Sequence, residues 1–236
     1  MNQSGRAGTA TPAGADPFRP SEYTGMLLQV LKSHAAHFRR GAGLDMGPGR
    51  GALLAMLGML GVERLYGVDI DPQAIAASRN LLDGAGLGHR AELLVGNLWA
   101  PLAGMRFDII VANLPQFAST EPSDPLRSVH WSMGGADARR LIDPFVEGLA
   151  AHLQPDGVAF MTHNVFADTA KTARMLAGHG LVCRPVLATT TILHPVKSAL
   201  LNPAVRASHI GRTIHRIGPY EFADIEVLEI RAAGRG

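Results

Sequence analysis

The stretch Asp45-Met46-Gly47-Pro48-Gly49-Arg50-Gly51-Ala52 constrains this chain more than any other. It joins a short apolar segment, Gly43 to Met46, to an apolar helix-forming one, Ala52 to Leu60. Glycines this closely spaced permit positive φ and let a ligand approach a backbone that a Cβ would shield. The helix that follows presents free N–H groups and the positive end of its dipole to a ligand. In an open parallel sheet such a turn lies at the carboxyl edge, where ligands bind.

The rest of the chain continues the alternation. Glu22 to Arg39 reads as helix, with Met26, Leu27, Val30 and Leu31 on one side. Arg64 to Val68 reads as strand, and Pro72 to Leu82 as a helix opening with proline in its first turn. Ala91 to Val95 and Phe107 to Ala112 read as strands, and Ala136 to Leu153 as a long amphipathic helix. Strand Gly157 to Thr162, helix Phe166 to Ala177, and strands Val182 to Leu193 and Phe222 to Ile230 complete the chain. Alternation of this kind implies a mainly parallel sheet covered on both faces, with the last two strands as an antiparallel edge pair.

Composition agrees with one core-bearing domain. With 236 residues, 47% hydrophobic and 18% charged, the chain can bury a real core, which excludes whole-chain disorder. The formal net charge of +2 is no nucleic-acid footprint by itself. A single cysteine, Cys183, excludes an intrachain disulfide and a multi-cysteine zinc site. Residues 1–17 read as a flexible tail without the apolar segment of a signal peptide, and 18–236 as one domain. The longest apolar run, Gly51 to Val62, is too short to cross a bilayer, so a cytoplasmic protein is expected.

The glycine loop alone leaves two readings. Gly47-x-Gly49-x-x-Ala52 satisfies a dinucleotide fingerprint, and Asp69 follows at a spacing suited to a ribose. Against a dinucleotide, Asp45 would repel a pyrophosphate but hold a ligand ammonium group. Gly96-Asn97-Leu98 after the third strand and Asn113-Leu114-Pro115-Gln116-Phe117 after the fourth lie at the same sheet edge. A dinucleotide has no use for that ordered set.

Together these residues resemble class I S-adenosylmethionine-dependent methyltransferases over about Phe18 to Leu228. The likeness is closest to the branch that methylates the glutamine amide of release factors, together with related small methyltransferase domains. Arg19 to Thr24 resembles that branch's Pro-x-Glu-x-Thr segment, and Asp45 to Gly51 its glycine motif. Val68 to Pro72, with Ala77 and Asn80, resembles its acidic strand end and helix, and Gly134 to Asp137 its Gly-Gly-x-Asp segment. The resemblance implies a Rossmann-like α/β fold: a seven-stranded, mostly parallel sheet with helices on both faces and an antiparallel C-terminal strand.

It also implies roles. S-adenosyl-L-methionine would be held by Thr24, Asp45, Met46, Gly47, Gly49, Gly51, Asp69, Ile70, Asn97, Leu98 and Asn113. Asp69 would take both ribose hydroxyls, a task suited to a carboxylate, and Asn97 with the Leu98 amide the adenine edge. Asn113, Pro115, Gln116 and Phe117 are the catalytic candidates. Asn113 would accept from a planar N–H and aim the nitrogen at the donor's methyl. The sequence departs from the family's Asn-Pro-Pro-Tyr/Phe: Leu114 replaces the first proline and Gln116 the aromatic, with Phe117 one place late. Methyl transfer from an activated donor needs positioning, so neither a metal nor a covalent nucleophile is expected.

Other features have plainer readings. His34 and His37 lie three apart on the first helix without a third ligand nearby, so a packed or solvated face is expected. The long stretch 116–135, with Glu121, Asp124, His130 and Trp131, is expected to wall the acceptor site. The insertion 194–219, with Lys197, Arg206, His209, Arg212, His215 and Arg216, reads as a basic lid or a solvated ribbon. The combined expectation is N-methylation of a small molecule. A protein glutamine amide, an RNA or DNA base, and a non-catalytic cofactor-binding partner subunit are the alternatives, with a dinucleotide oxidoreductase more distant. No membrane contact is expected.

Overall fold

The computed structural model describes residues 20–38, 41–120 and 132–234. The expected tail 1–17 and the loop positions Glu121, Asp124, His130 and Trp131 lie outside them. The order is α1 (Glu22–His34), β1 (Ala42–Met46), α2 (Ala52–Met59), β2 (Arg64–Asp69), α3 (Pro72–Gly84), β3 (Ala91–Val95) and β4 (Phe107–Ala112). There follow α4 (Ile142–His152), β5 (Leu153–Asn164), α5 (Thr169–Gly178), β6 (Leu181–Leu193), α6 (Pro195–Leu200), α7 (Pro203–His209), β7 (Ile214–Ile217) and β8 (Tyr220–Ala232). The sheet runs β3-β2-β1-β4-β5-β8-β6, with β7 pairing β8 off that path. β1 to β5 are parallel, and β8 is antiparallel to each of β5, β6 and β7. This is the expected Rossmann-like sheet with antiparallel C-terminal strands.

Successive residues of a strand point to opposite faces, so an apolar run can feed two cores at once. In β4, Ile110 and Ala112 join Leu44 and Met46 under α4 and α5. Ile109 and Val111 join Leu27, Leu31, Leu54 and Leu57 under α1 and α2. The unbroken hydrophobic run 109–112 follows from burial on both faces, while Asp108 before it accepts the Ala42 N–H at 2.8 Å. Among the described residues, no helix is long and apolar enough to cross a membrane.

Three local expectations change. The first helix ends at His34, not Arg39: His34 Nδ1 bonds the Val30 carbonyl at 2.9 Å, and the chain turns so that Phe38 meets Phe160, ring centroids 6.2 Å apart. The long helix begins at Ile142, not Ala136. The residues before it fold back instead. Gly134 N–H donates to the Phe117 carbonyl (2.8 Å), Phe117 N–H to the Ser132 carbonyl (2.7 Å), and a Cβ on Gly134 would come within 2.7 Å of Gln116 Cα. The insertion 194–219 forms α6, α7 and β7 instead of a solvated ribbon.

That insertion is not a broadly basic lid. Arg206 and Arg216 reach Glu221 at 3.0 and 2.8 Å, and His215 reaches Asp224 at 2.9 Å. Burial would raise the Glu221 carboxyl, but hydrogen bonds from Ser198 and Arg216 and the nearby arginine charges hold it below the usual carboxylate range. Much of the insertion's positive charge therefore ties it to β8.

Candidate functional site

The carboxyl ends of β3, β2, β1 and β4 converge on a cavity of about 820 Å³. Its floor is the glycine loop. Gly47 N–H donates to the Val68 carbonyl (2.8 Å) and Gly51 N–H to the Pro48 carbonyl (2.7 Å), which curls the loop between β1 and α2. Gly47 and Gly49 have φ of +81° and +54°, and a Cβ on either would meet nothing within 4 Å. Both leave space that a bound molecule can fill. Gly51 differs: its φ is +81°, and a Cβ would press on Ser78 at 3.1 Å. It is a packing glycine between α2 and α3, off the cavity wall.

Asp69, at the end of β2, lines the cavity. Its Oδ1 accepts from Asp71 N–H (3.0 Å) and its Oδ2 from Gly49 N–H (3.3 Å), which fixes the carboxylate across the loop. Burial raises this carboxyl, while those two amides oppose the rise. Ile70 beside it is 70% exposed, an apolar surface on the wall that a flat ligand face could cover. Asn97 and Leu98 follow β3 on the same wall, and Leu98 adopts φ +48°, a left-handed conformation unusual for a branched residue. Such backbone costs about 1–3 kcal/mol and tends to occur where a site requires it.

Asp45 lies deeper than the wall. It is fully buried behind Met46 and Gly47, and neither carboxylate oxygen has a hydrogen-bond partner. Burial, reinforced by the charge of Asp69 and only partly offset by the Leu54 amide, pushes its carboxyl up to about 8. A buried, unpaired carboxyl of this kind wants a proton or a cation.

The other end of the cavity is built around Asn113, just past β4. Its Oδ1 accepts from Thr162 Oγ1 at 2.9 Å, and its Nδ2 lies 3.4 Å from Thr24 Oγ1 on α1. Thr162 in turn accepts from Gln116 Nε2, at Oγ1 (3.1 Å) and at its carbonyl (3.0 Å). Gln116 Oε1 accepts the Asn164 backbone N–H at 2.6 Å, and Asn164 Nδ2 donates to the Gln116 carbonyl at 3.0 Å. Gln116 thus spends its amide clamping β4 to β5. Tyr23 also lines the cavity and donates its hydroxyl to Asn164 Oδ1 at 2.9 Å. Burial pushes the Tyr23 phenol up to about 12, with that hydrogen bond opposing.

The structure therefore gathers Thr24, Met46, Gly47, Gly49, Asp69, Ile70, Asn97, Leu98, Asn113, Pro115, Gln116 and Phe117 around one cavity. Asp45 and Gly51 sit behind it. Phe117 is 4% exposed and meets Phe166 edge-on with centroids 6.5 Å apart. His34 packs on Phe160, and the side chain of His37 lies outside the described residues. Sequence reasoning missed Tyr23, Thr162 and Asn164, and placed Lys197 only within the basic insertion. A signal existed for two of them: Thr162-His163-Asn164 is a polar end on an otherwise apolar strand, and all three are buried.

Comparisons with known proteins agree with this architecture. At 15% identity, the Mtq2-Trm112 complex of E. cuniculi, described as responsible for methylation of the eRF1 translation termination factor, shares the fold at TM-score 0.59 over 91% of this chain and 98% of its own. The ribosomal protein L11 methylase of Lactobacillus delbrueckii subsp. bulgaricus does so at TM-score 0.56 and 17% identity, over 91% and 81%. In sequence, a release factor glutamine methyltransferase of Moorella thermoacetica is 33% identical over 123 residues, 48% of this chain and 42% of that protein. A ribosomal protein L11 methyltransferase of Vibrio campbellii is 28% identical over 113 residues, 48% of this chain and 38% of its own. The matched stretch spans about two-fifths of these curated relatives. The family model described as "Methyltransferase small domain" matches residues 22–183, from α1 through the glycine loop and Asn113 into β6. With the glycine loop, the acidic end of β2 and Asn113 all inside the matched span, the chain belongs to the methyltransferase small domain family.

Proposed function

We propose that the chain binds S-adenosylmethionine and transfers its methyl group to a planar, amide-type nitrogen. The observation that carries the reading is the fixed orientation of Asn113 at the end of a cavity that also holds Asp69 and the glycine loop. The donor supplies a methyl on a positively charged sulfur, ready for in-line displacement. Asp69 presents a preoriented acceptor pair suited to vicinal ribose hydroxyls, and Asn97 the donor and acceptor suited to an adenine edge. The unpaired Asp45 carboxyl is chemically suited to a nearby ammonium group.

Asn113 does the positioning. A carbonyl oxygen has two acceptor sites. Thr162 takes one on Oδ1, and the other can receive one N–H of the acceptor amide and turn its nitrogen toward the methyl. Orientation of this type is worth about 7–11 kcal/mol of barrier in ideal cases. The nitrogen can release its proton to water after transfer, so no general base is required.

The named relatives act on a release factor glutamine and on ribosomal protein L11. Both support a protein acceptor in place of the small molecule expected from the sequence, and the first supports a side-chain amide. Calorimetry with S-adenosylhomocysteine, with NADH as control, tests the cofactor. A folded sample that ignores S-adenosylhomocysteine overturns the proposal. Mass spectrometry of glutamine-containing peptides incubated with chain and S-adenosylmethionine tests the acceptor; a gain of one methyl on the side-chain nitrogen is expected, and methylation on oxygen or carbon refutes it.

A further inference from the structure

Most cations around the acceptor end are spoken for. Arg140 donates to the Met133 carbonyl at 2.8 Å. Arg206 and Arg216 are held by Glu221. Lys197 on α6 is the exception: it is half-buried and lines the same cavity as Tyr23, Asn113 and Asn164. Among the described residues it makes no hydrogen bond or ion pair, and Glu22 acts on it only through space. Burial pulls its ammonium below the usual lysine value, with Glu22 opposing. A cation removed from water without a partner is costly, so such a group marks a place where an anion completes the structure.

Resting on the methyl-transfer reading above, we infer that Lys197 binds a single anionic group, a carboxylate or a phosphate, carried by the methyl acceptor close to its reacting nitrogen. Lys197 is a compact point charge, suited to one anionic group without demanding the paired geometry that arginine reads. A polynucleotide would need a track of free cations along a groove. The nearby arginines do not form one, because Glu221 holds Arg206 and Arg216 and the Met133 carbonyl takes Arg140.

Reductive ¹³C-methylation keeps the ammonium charge and labels Lys32, Lys171 and Lys197, the chain's lysines. The Lys197→Arg variant identifies the Lys197 signal among those of the other lysines and the α-amino group. In the S-adenosylhomocysteine complex, acetate and inorganic phosphate are titrated separately against chloride at constant ionic strength. The expected result is a saturable shift of the Lys197 signal, while Lys32 and Lys171 follow the chloride control; the stronger of the two anions assigns the group. A Lys197 signal that only follows chloride overturns the inference. So does a response to a single-stranded oligonucleotide at far lower concentration than to phosphate. Calorimetry on the same sample separates the two claims: if S-adenosylhomocysteine binds and Lys197 stays silent, the anion site alone fails.

Discussion

Thr162 donates its hydroxyl hydrogen to Asn113 Oδ1 across 2.9 Å, and Gln116 decides that direction. Gln116 Oε1 is pinned by the Asn164 backbone N–H, so its Nε2 must face Thr162 and donate to Oγ1. With one lone pair so occupied, the hydroxyl hydrogen is free to point at Asn113. The orientation of the substrate-side amide is thus set by a backbone N–H two residues beyond Thr162.

Thr162→Val removes the donor at constant shape and should cost about 1–3 kcal/mol of stability, the usual penalty of leaving a buried polar group unpaired. The Asn113 side-chain amide signals should move toward solvent-like shifts in that variant and stay in place in Thr162→Ser. Unchanged Asn113 signals in Thr162→Val would refute the relay.

Asn113→Ala should lower methyl transfer by about 10²–10³-fold, the scale of losing one preoriented group at a reacting centre. S-adenosylhomocysteine affinity should hold, because Asp69 and the glycine loop are untouched. Retained turnover would remove Asn113 from the chemistry.

Asp69→Ala should have the opposite profile. Hydrogen bonds to a charged group are worth about 1.5–3 kcal/mol, so cofactor affinity should fall roughly 10- to 150-fold in calorimetry. Equal binding by parent and variant would show that the carboxylate does not hold the ribose.

Asp45 makes the stability of the ligand-free chain fall between acid and mildly basic pH. Its carboxyl titrates at about 8 when folded against an ordinary value of 3.8. Between those values the folded state holds a proton that the unfolded state has released. Its contribution is therefore fully present below about 4 and is lost as pH rises toward 8. Thermal melts at pH 5 and pH 8 should show this fall in the parent, and Asp45→Asn should flatten it. The same slope in both proteins would contradict the assignment.

Arg139 is buried, forks onto Asp143 at 2.6 and 2.7 Å, and also reaches the Ala167 and Asp168 carbonyls and Thr172. Thr172 can then donate to His163 Nε2 at 2.9 Å, which suits a neutral imidazole whose value burial pulls down to about 4. Arg139→Met should cost about 3–5 kcal/mol in urea unfolding, and Arg139→Lys should not restore it, because an ammonium cannot fork. Full rescue by lysine would mean that charge alone matters.

The alternation of apolar segments revealed the sheet because hydrophobic runs such as Ile109 to Ala112 report burial on both faces directly. The glycine-loop half of the cavity was equally readable, since Gly47, Gly49, Asp69 and Asn97 are placed by local geometry at strand ends. The acceptor half was hidden. Tyr23 meets Asn164 across 141 positions, and Gln116 meets Asn164 across 48. Neither pairing leaves a local pattern. Gln116 looked like a lost aromatic, whereas its amide clamps two strands. The basic insertion looked like a lid because charge in a sequence cannot show that Glu221 is already waiting for it.

The cavity's two ends come from different kinds of chain. Strand-end turns between Met46 and Leu98 make one, and a remote segment between β6 and β8 contributes Lys197 to the other. Residues 194–219 are tied to the rest by Glu221, by Asn202 on the Ala118 and Ala136 carbonyls, and by the buried Leu201 and Ile214. An insertion that kept those ties and changed only Lys197 would alter what faces Asn113 across the cavity, while the glycine-loop end keeps its own residues.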